Sequence, residues 1–216
     1  MNKIRPIATK WEEVTVSLWT EIQDILREED TDAVDKNVKL VGLLYDIPDE
    51  DAYNKPLQEF SDMLDGISFL GKEPDVPPPA PGYNINGTDY IVCLNPQKIT
   101  TAQYIDFHAF NQNPRENIPQ LLACLLVPSG HTYNDGGYEI EKVQADVRDY
   151  FRITHALALT RFFFRQYVAL TQRSLSSLTR ILRKELRKAK DPEKRKQIEE
   201  QMEKTRQLEL MFGSLV

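Results

Sequence analysis

The stretch Gly71-Lys72-Glu73-Pro74-Asp75-Val76-Pro77-Pro78-Pro79-Ala80-Pro81-Gly82 cannot be built into a helix or a central strand. Its prolines fix φ and remove backbone donors, so an extended, polyproline-like connector is expected. Directly after it comes the one convincing β signal, Tyr83-Asn84-Ile85-Asn86-Gly87-Thr88-Asp89-Tyr90-Ile91-Val92. Asn86-Gly87 supplies two residues that tolerate positive φ, as a type I′ hairpin turn requires. A lone hairpin is marginal in water, so it must lie against helices.

Everything outward from this junction reads as helix. On the N-terminal side, Val16, Trp19, Ile22 and Leu26 recur at helical spacing after Thr15. Acidic residues from Glu28 to Asp32 then favour a loop, because negative charge is disfavoured at a helix C-terminus. A second helix spans Val34 to about Tyr45, with Val38, Val41, Leu44 and Tyr45 on its apolar side and Pro48 as its stop. Asp49-Glu50-Asp51 starts a short acidic turn. Pro56 opens a third helix whose core face is Leu57, Phe60, Met63, Leu64 and Ile67.

On the C-terminal side, Thr100-Thr101-Ala102-Gln103 has capping-box spacing and starts a helix through Tyr104, Phe107 and His108, with His108 partly buried. Asn113-Pro114-Arg115-Glu116 starts another, leading into the apolar run Leu121–Val127 that Pro128 closes. A loop at 129–137 precedes a helix from Tyr138 to about Tyr150. A long helix over 154–190 follows, and Asp191-Pro192-Glu193 caps a last one that ends near Gly213. The segments around Thr15 and Thr100 match at an offset of 85, and Leu40–Leu44 matches Leu121–Leu125 at 81. The expected fold is therefore mainly α: two related helical modules (11–70 and 96–172), a Pro-rich connector and one β-hairpin (71–95), and a basic helical hairpin or arm (173–216).

Composition bounds the function. The chain has 216 residues, 41% hydrophobic and 28% charged, with two cysteines and a net charge of −6. Cys93 and Cys124 cannot form a disulfide framework and suit a reducing interior as small buried residues. No apolar run reaches the roughly 18 residues of a membrane span, and Met1–Pro6 is not followed by an apolar signal core, so neither membrane nor secretion is expected. The charge is uneven. Residues 1–160 carry 13 Lys+Arg against 26 Asp+Glu, whereas 161–216 carry 14 against 7. An acidic body with a basic tail points to an interaction arm or to self-association.

No motif carries chemistry. A phosphate loop, a nucleophile elbow and a His-Glu-x-x-His are all missing from the sequence. His108, His131 and His155 are far apart and lack a second ligand at metal spacing. The loop His131–Tyr138 is the most site-like stretch, yet its Asn, Asp and Gly are what any tight turn uses. Asp49–Asp51 reads as an exposed helix start. No catalytic residue, cofactor or metal is expected.

The tail is different. Arg180, Arg183, Lys184, Arg187, Lys188, Lys190, Lys194, Arg195 and Lys196 form a dense cationic stretch across a helix–helix junction. They read as a partner-binding set, weighed against a solvated hairpin neutralised by pairs such as Lys196–Glu199 and Glu203–Lys204. Leu175, Leu178, Ile181, Leu182 and Leu186, then Ile198, Met202, Leu208 and Met211, add apolar stripes that want a partner. No aromatic residue interleaves the cations, which favours a protein partner over nucleic acid.

Val14-Thr15-Val16 with Trp19, Lys36–Val41, Pro56-Leu57 with Phe60, the Tyr83–Tyr90 hairpin, Lys98–Asp106 and Phe162-Phe163 together resemble small helical morphogenesis proteins of tailed bacteriophages, in particular phages of gut Bacteroidetes. The resemblance covers roughly 11–172 and leaves the tail outside. It implies a tail assembly chaperone that binds the tape-measure protein and helps tail-tube polymerisation in the host cytoplasm. The close alternative it implies is a virion component such as a head–tail junction ring or portal connector, with homo-oligomers possible in either case. It brings no catalytic residues.

Overall fold

The structure is a computed structural model and describes residues 5–95, 98–113, 116–189 and 191–213, with the backbone alone at 167, 169–171 and 208–213. Helix is the main element, with a small antiparallel sheet. The chain forms two compact units, residues 1–160 and 161–216. The change from acidic to basic composition falls on that boundary.

In the first unit, a short 3-10 turn at Trp11–Glu13 leads into α1 (Val16–Arg27). The Thr15 hydroxyl accepts from Leu18 N and caps it. Asp32 caps α2 (Ala33–Tyr45) by accepting from Val34 N and Asp35 N at 2.8 and 2.9 Å. Asp46 ends α2 in the left-handed region at φ 51, and Ile47 N returns to Gly42 O at 3.0 Å. This return brings the chain so close that a Cβ on Gly42 would lie 2.5 Å from Asp49 Oδ1. The acidic turn is a short helix, α3 (Asp49–Tyr53), and α4 (Leu57–Gly66) follows Pro56. Val38, Val41, Leu44 and Tyr45 are buried as expected. Met63 on α4 and Ile67 just past its end are buried, but Leu57 is 84% exposed; it opens the helix ahead of the turn that meets α2. Leu26, at the last turn of α1, is likewise exposed.

Residues 72–80 run without regular structure, as the prolines require. The indole N–H of Trp11 donates to Lys72 O at 2.7 Å, and Trp11 meets Phe69 edge-on, which ties the connector's start to the N-terminal turn. The hairpin forms as read: β1 (Gly82–Ile85) pairs with β2 (Thr88–Val92), and Asn86 and Gly87 take φ 49 and 77.

The largest departure lies in the apolar run. After α5 (Thr101–Phe110), the run does not stay helical to Pro128: it forms a short α6 (Ile118–Ala123), and the chain then extends as β3 (Leu126–Pro128). β3 pairs antiparallel with β2, Val127 opposite Ile91, giving the order β1-β2-β3. A continuous buried apolar run carries no period, so the free edge of β2 decided its conformation. The helix expected from residues 113–116 begins at Ile118; Pro114 and Arg115 lie outside the described residues. α5 is also rotated relative to its expected face. Gln103 completes the capping box with Thr100 and donates to Cys124 O at 3.0 Å, so Gln103 and Phe107 point inward. His108 is consequently exposed, its ring stacked on Tyr104.

α7 (Ile140–Tyr150) is the hub of this unit, packing on α1, α6 and β1 with Val143 and Val147 buried. The first and last parts of the unit are joined by an antiparallel bridge between Thr15 and Arg152. Val16 N donates to Phe151 O at 3.0 Å and Ile153 N to Val14 O at 2.8 Å.

α8 (Ile153–Lys188) begins in the first unit and continues into the second, which is completed by α9 (Pro192–Gly213). Asp191 caps α9 through Glu193 N at 3.0 Å. No described helix is long and apolar enough to cross a membrane.

Candidate functional site

α8 contains neither glycine nor proline, so nothing in its sequence interrupts the helical period. That period sorts its side chains. Arg180, Arg183, Lys184, Arg187 and Lys188 stand at i, i+3, i+4, i+7 and i+8 and share one face, all exposed. Leu175, Leu182 and Leu186 fall on the other side, where Leu182 is buried. Ile198 and Thr205 are buried on α9, and Met202 is half-buried. Between the helices lies a groove of about 510 Å³, bounded by Thr179, Arg183 and Leu186 of α8 and by Glu199, Met202, Glu203 and Arg206 of α9.

The structure thus gathers five of the nine expected partner-binding residues on one face. Lys194, Arg195 and Lys196 are exposed in the first turns of α9 but point in different directions, being successive residues about 100° apart. Lys190 lies outside the described residues, as do the side chains of Leu208 and Met211.

The alternative, a hairpin neutralised by its own Lys–Glu pairs, finds no ion pair among the described residues of the second unit. The ion pairs formed among the described residues all lie in the first unit, and Lys196–Glu199 and Glu203–Lys204 are not among them. Like charges one helical turn apart repel by a few tenths of a kcal/mol per pair. Arg187 and Lys188 recover some of this from the C-terminal dipole of α8, whereas Lys194–Lys196 sit at the unfavourable, positive end of α9. Among the described residues, the cationic row is thus left without ion-pair partners in its own unit.

Several buried polar groups in the first unit are committed to one another. Asp146 is 4% exposed on the inward face of α7; Tyr90 OH donates to its Oδ2 at 2.7 Å and Asn86 Nδ2 to its Oδ1 at 3.0 Å. Burial and this carboxylate together hold the Tyr90 proton on well above the ordinary range. Tyr133 OH donates to Asp106 Oδ2 at 2.8 Å beside the Cys124 thiol, and burial pushes that thiol up to about 11. It is a poor nucleophile at neutral pH. The loop 131–138 is a tight turn: Asp135 accepts from Thr132 N and Gly137 N, both at 2.8 Å. Those backbone donors, with His131 at 3.3 Å, keep its carboxyl below the usual range. His155 packs on Tyr83 and Phe151, and burial lowers its pKa. Among the described residues no group of three or more His, Cys, Asp or Glu could hold a metal ion.

Sequence reasoning missed the long-range pairs Tyr90–Asp146, Tyr133–Asp106 and Tyr53–Asp35. One of them left a signal. Asp146 lies between Val143 and Val147 on a single apolar stripe, where an acid needs an inward partner. Comparison with known protein families, curated proteins and solved structures finds no match for this chain.

Proposed function

We propose that this chain works by fitting surfaces together, as a phage morphogenesis factor of the tail assembly chaperone type, and that the cationic face of α8 is its docking face. The carrying observation is the row Arg180, Arg183, Lys184, Arg187 and Lys188, exposed and without ion-pair partners among the described residues. An acidic protein surface would remove their mutual repulsion and gain directional pairs, chiefly through the arginines. The phage setting is supported by the resemblance over residues 11–172. The view of 11–70 and 96–172 as related modules is supported by the matching threonine caps of α1 and α5.

Mass spectrometry of purified particles tests this reading. A chaperone is needed for assembly yet missing from finished virions, and Arg183→Glu, Arg187→Glu, Lys188→Glu stops assembly. Presence in fixed ring stoichiometry would instead assign a head–tail connector. A second reading, a DNA-packaging accessory, draws on the same cations. It requires duplex binding that falls steeply with salt and is lost in the triple variant.

A further inference from the structure

Residues 21–65 carry 14 Asp+Glu against four Lys+Arg. Three of the four cations are already engaged: Lys36 with Leu26 O, Lys39 with Glu28 and Lys55 with Glu59. The first of these bonds ties the end of α1 to the start of α2. Tyr53 OH donates to Asp35 there, next to Val34, and the carboxylates of Asp32 and Asp49 also act on that hydroxyl. Leu26, Val34 and Tyr53 are 43%, 63% and 55% exposed. The end of the α1–α4 layer is therefore an uncovered apolar patch set among free carboxylates, including the exposed Glu29, Asp49, Glu50 and Asp51.

α8 carries the complement. Its exposed Ile181 lies beside the cationic row, one turn before Lys184 and two before Lys188. We infer that the acidic, Tyr53-centred patch of one copy of this chain receives the cationic face of α8 from a second copy. This rests on the reading of that face as a docking surface and names its first partner. Charge decides between occupants. Two basic units repel each other, as do two acidic ones, whereas a basic face on an acidic patch satisfies both and buries Ile181 against Val34 and Tyr53. Every copy carries one of each surface, so the contact is heterologous: reciprocal exchange closes a dimer, and one-way contact builds a ring or filament.

Sedimentation equilibrium on the nuclease-treated full-length chain tests this. Self-association is expected at low salt, weakening about tenfold or more as screening rises towards about 1 M. The variant Arg183→Glu, Arg187→Glu, Lys188→Glu and the variant Glu29→Lys, Glu50→Lys, Asp51→Lys should each be monomeric; Asp32 is left intact because it caps α2. An equimolar mixture of the two should associate again, because the reversed surfaces match. Circular dichroism establishes that both variants fold. A monomeric wild type overturns the inference, as does association that survives both reversals or a mixture that stays monomeric. If the wild type is monomeric while the α8 reversal still stops particle assembly, self-association falls and the docking face stands.

Discussion

Asp146→Ala tests the polar clamp that fixes the hairpin on α7. The substitution removes the acceptor for two side-chain donors, one of them the hydroxyl of Tyr90, which is 2% exposed. A hydrogen bond to a charged group contributes about 1.5–3 kcal/mol, and a donor left buried adds its own desolvation cost, so a loss of about 3–5 kcal/mol is expected. Urea unfolding followed by circular dichroism measures it, the slope showing whether the transition keeps its character. Tyr90→Phe should lose about 1.5–3 kcal/mol and Asn86→Gly, which retains the positive φ of the turn, about 1–2 kcal/mol. In the Asp146→Ala background, Tyr90→Phe should cost little, since its partner is already gone. The reasoning is refuted if Asp146→Ala costs under about 1 kcal/mol, or if Tyr90→Phe costs the same in both backgrounds.

Other expectations follow from single features. Thr15→Ala and Thr100→Ala each remove a helix cap and should each lower stability by about 1 kcal/mol in the same unfolding assay. His155 is held below its ordinary value of 6.5 by burial, so the fold favours the neutral ring and the unfolded chain takes up the proton more readily. Its contribution is present above pH 6.5 and is lost as pH falls through the folded value; His155→Phe should flatten that part of the stability–pH curve. In native protein, maleimide should label Cys93 quickly and Cys124 slowly, because Cys124 is buried with its thiol pushed up to about 11. Equal rates would show that the Tyr133–Asp106–Cys124 packing is loose.

Local chemistry was legible from the residues. The hairpin turn at Asn86-Gly87 and the caps at Thr15, Thr100 and Asp191 each depend on a few adjacent residues, and each formed. What depended on distant partners was not. β3 exists because β2 offers it an edge, and α5 shows Gln103 rather than Tyr104 to the core because Cys124 O waits there. Leu57 illustrates a different failure, since periodicity names a face but not where that face stops being covered. For the tail, spacing was sufficient to place Arg180–Lys188 on one face. The absence of ion pairs among those side chains needed coordinates, because Lys–Glu spacing permits a pair without enforcing one.

The bridge between Thr15 and Arg152 has a consequence for biosynthesis. Arg152 reaches Glu13 O across 139 residues, so α1 cannot be sealed in place until nearly all of the first unit has left the ribosome. During that interval Val14 and Val16 have no strand to meet, and the nascent N-terminus is open to holdase chaperones. A translational pause that falls once Ile153 has emerged from the ribosome would give the bridge time to form, and one that falls earlier would prolong the exposure.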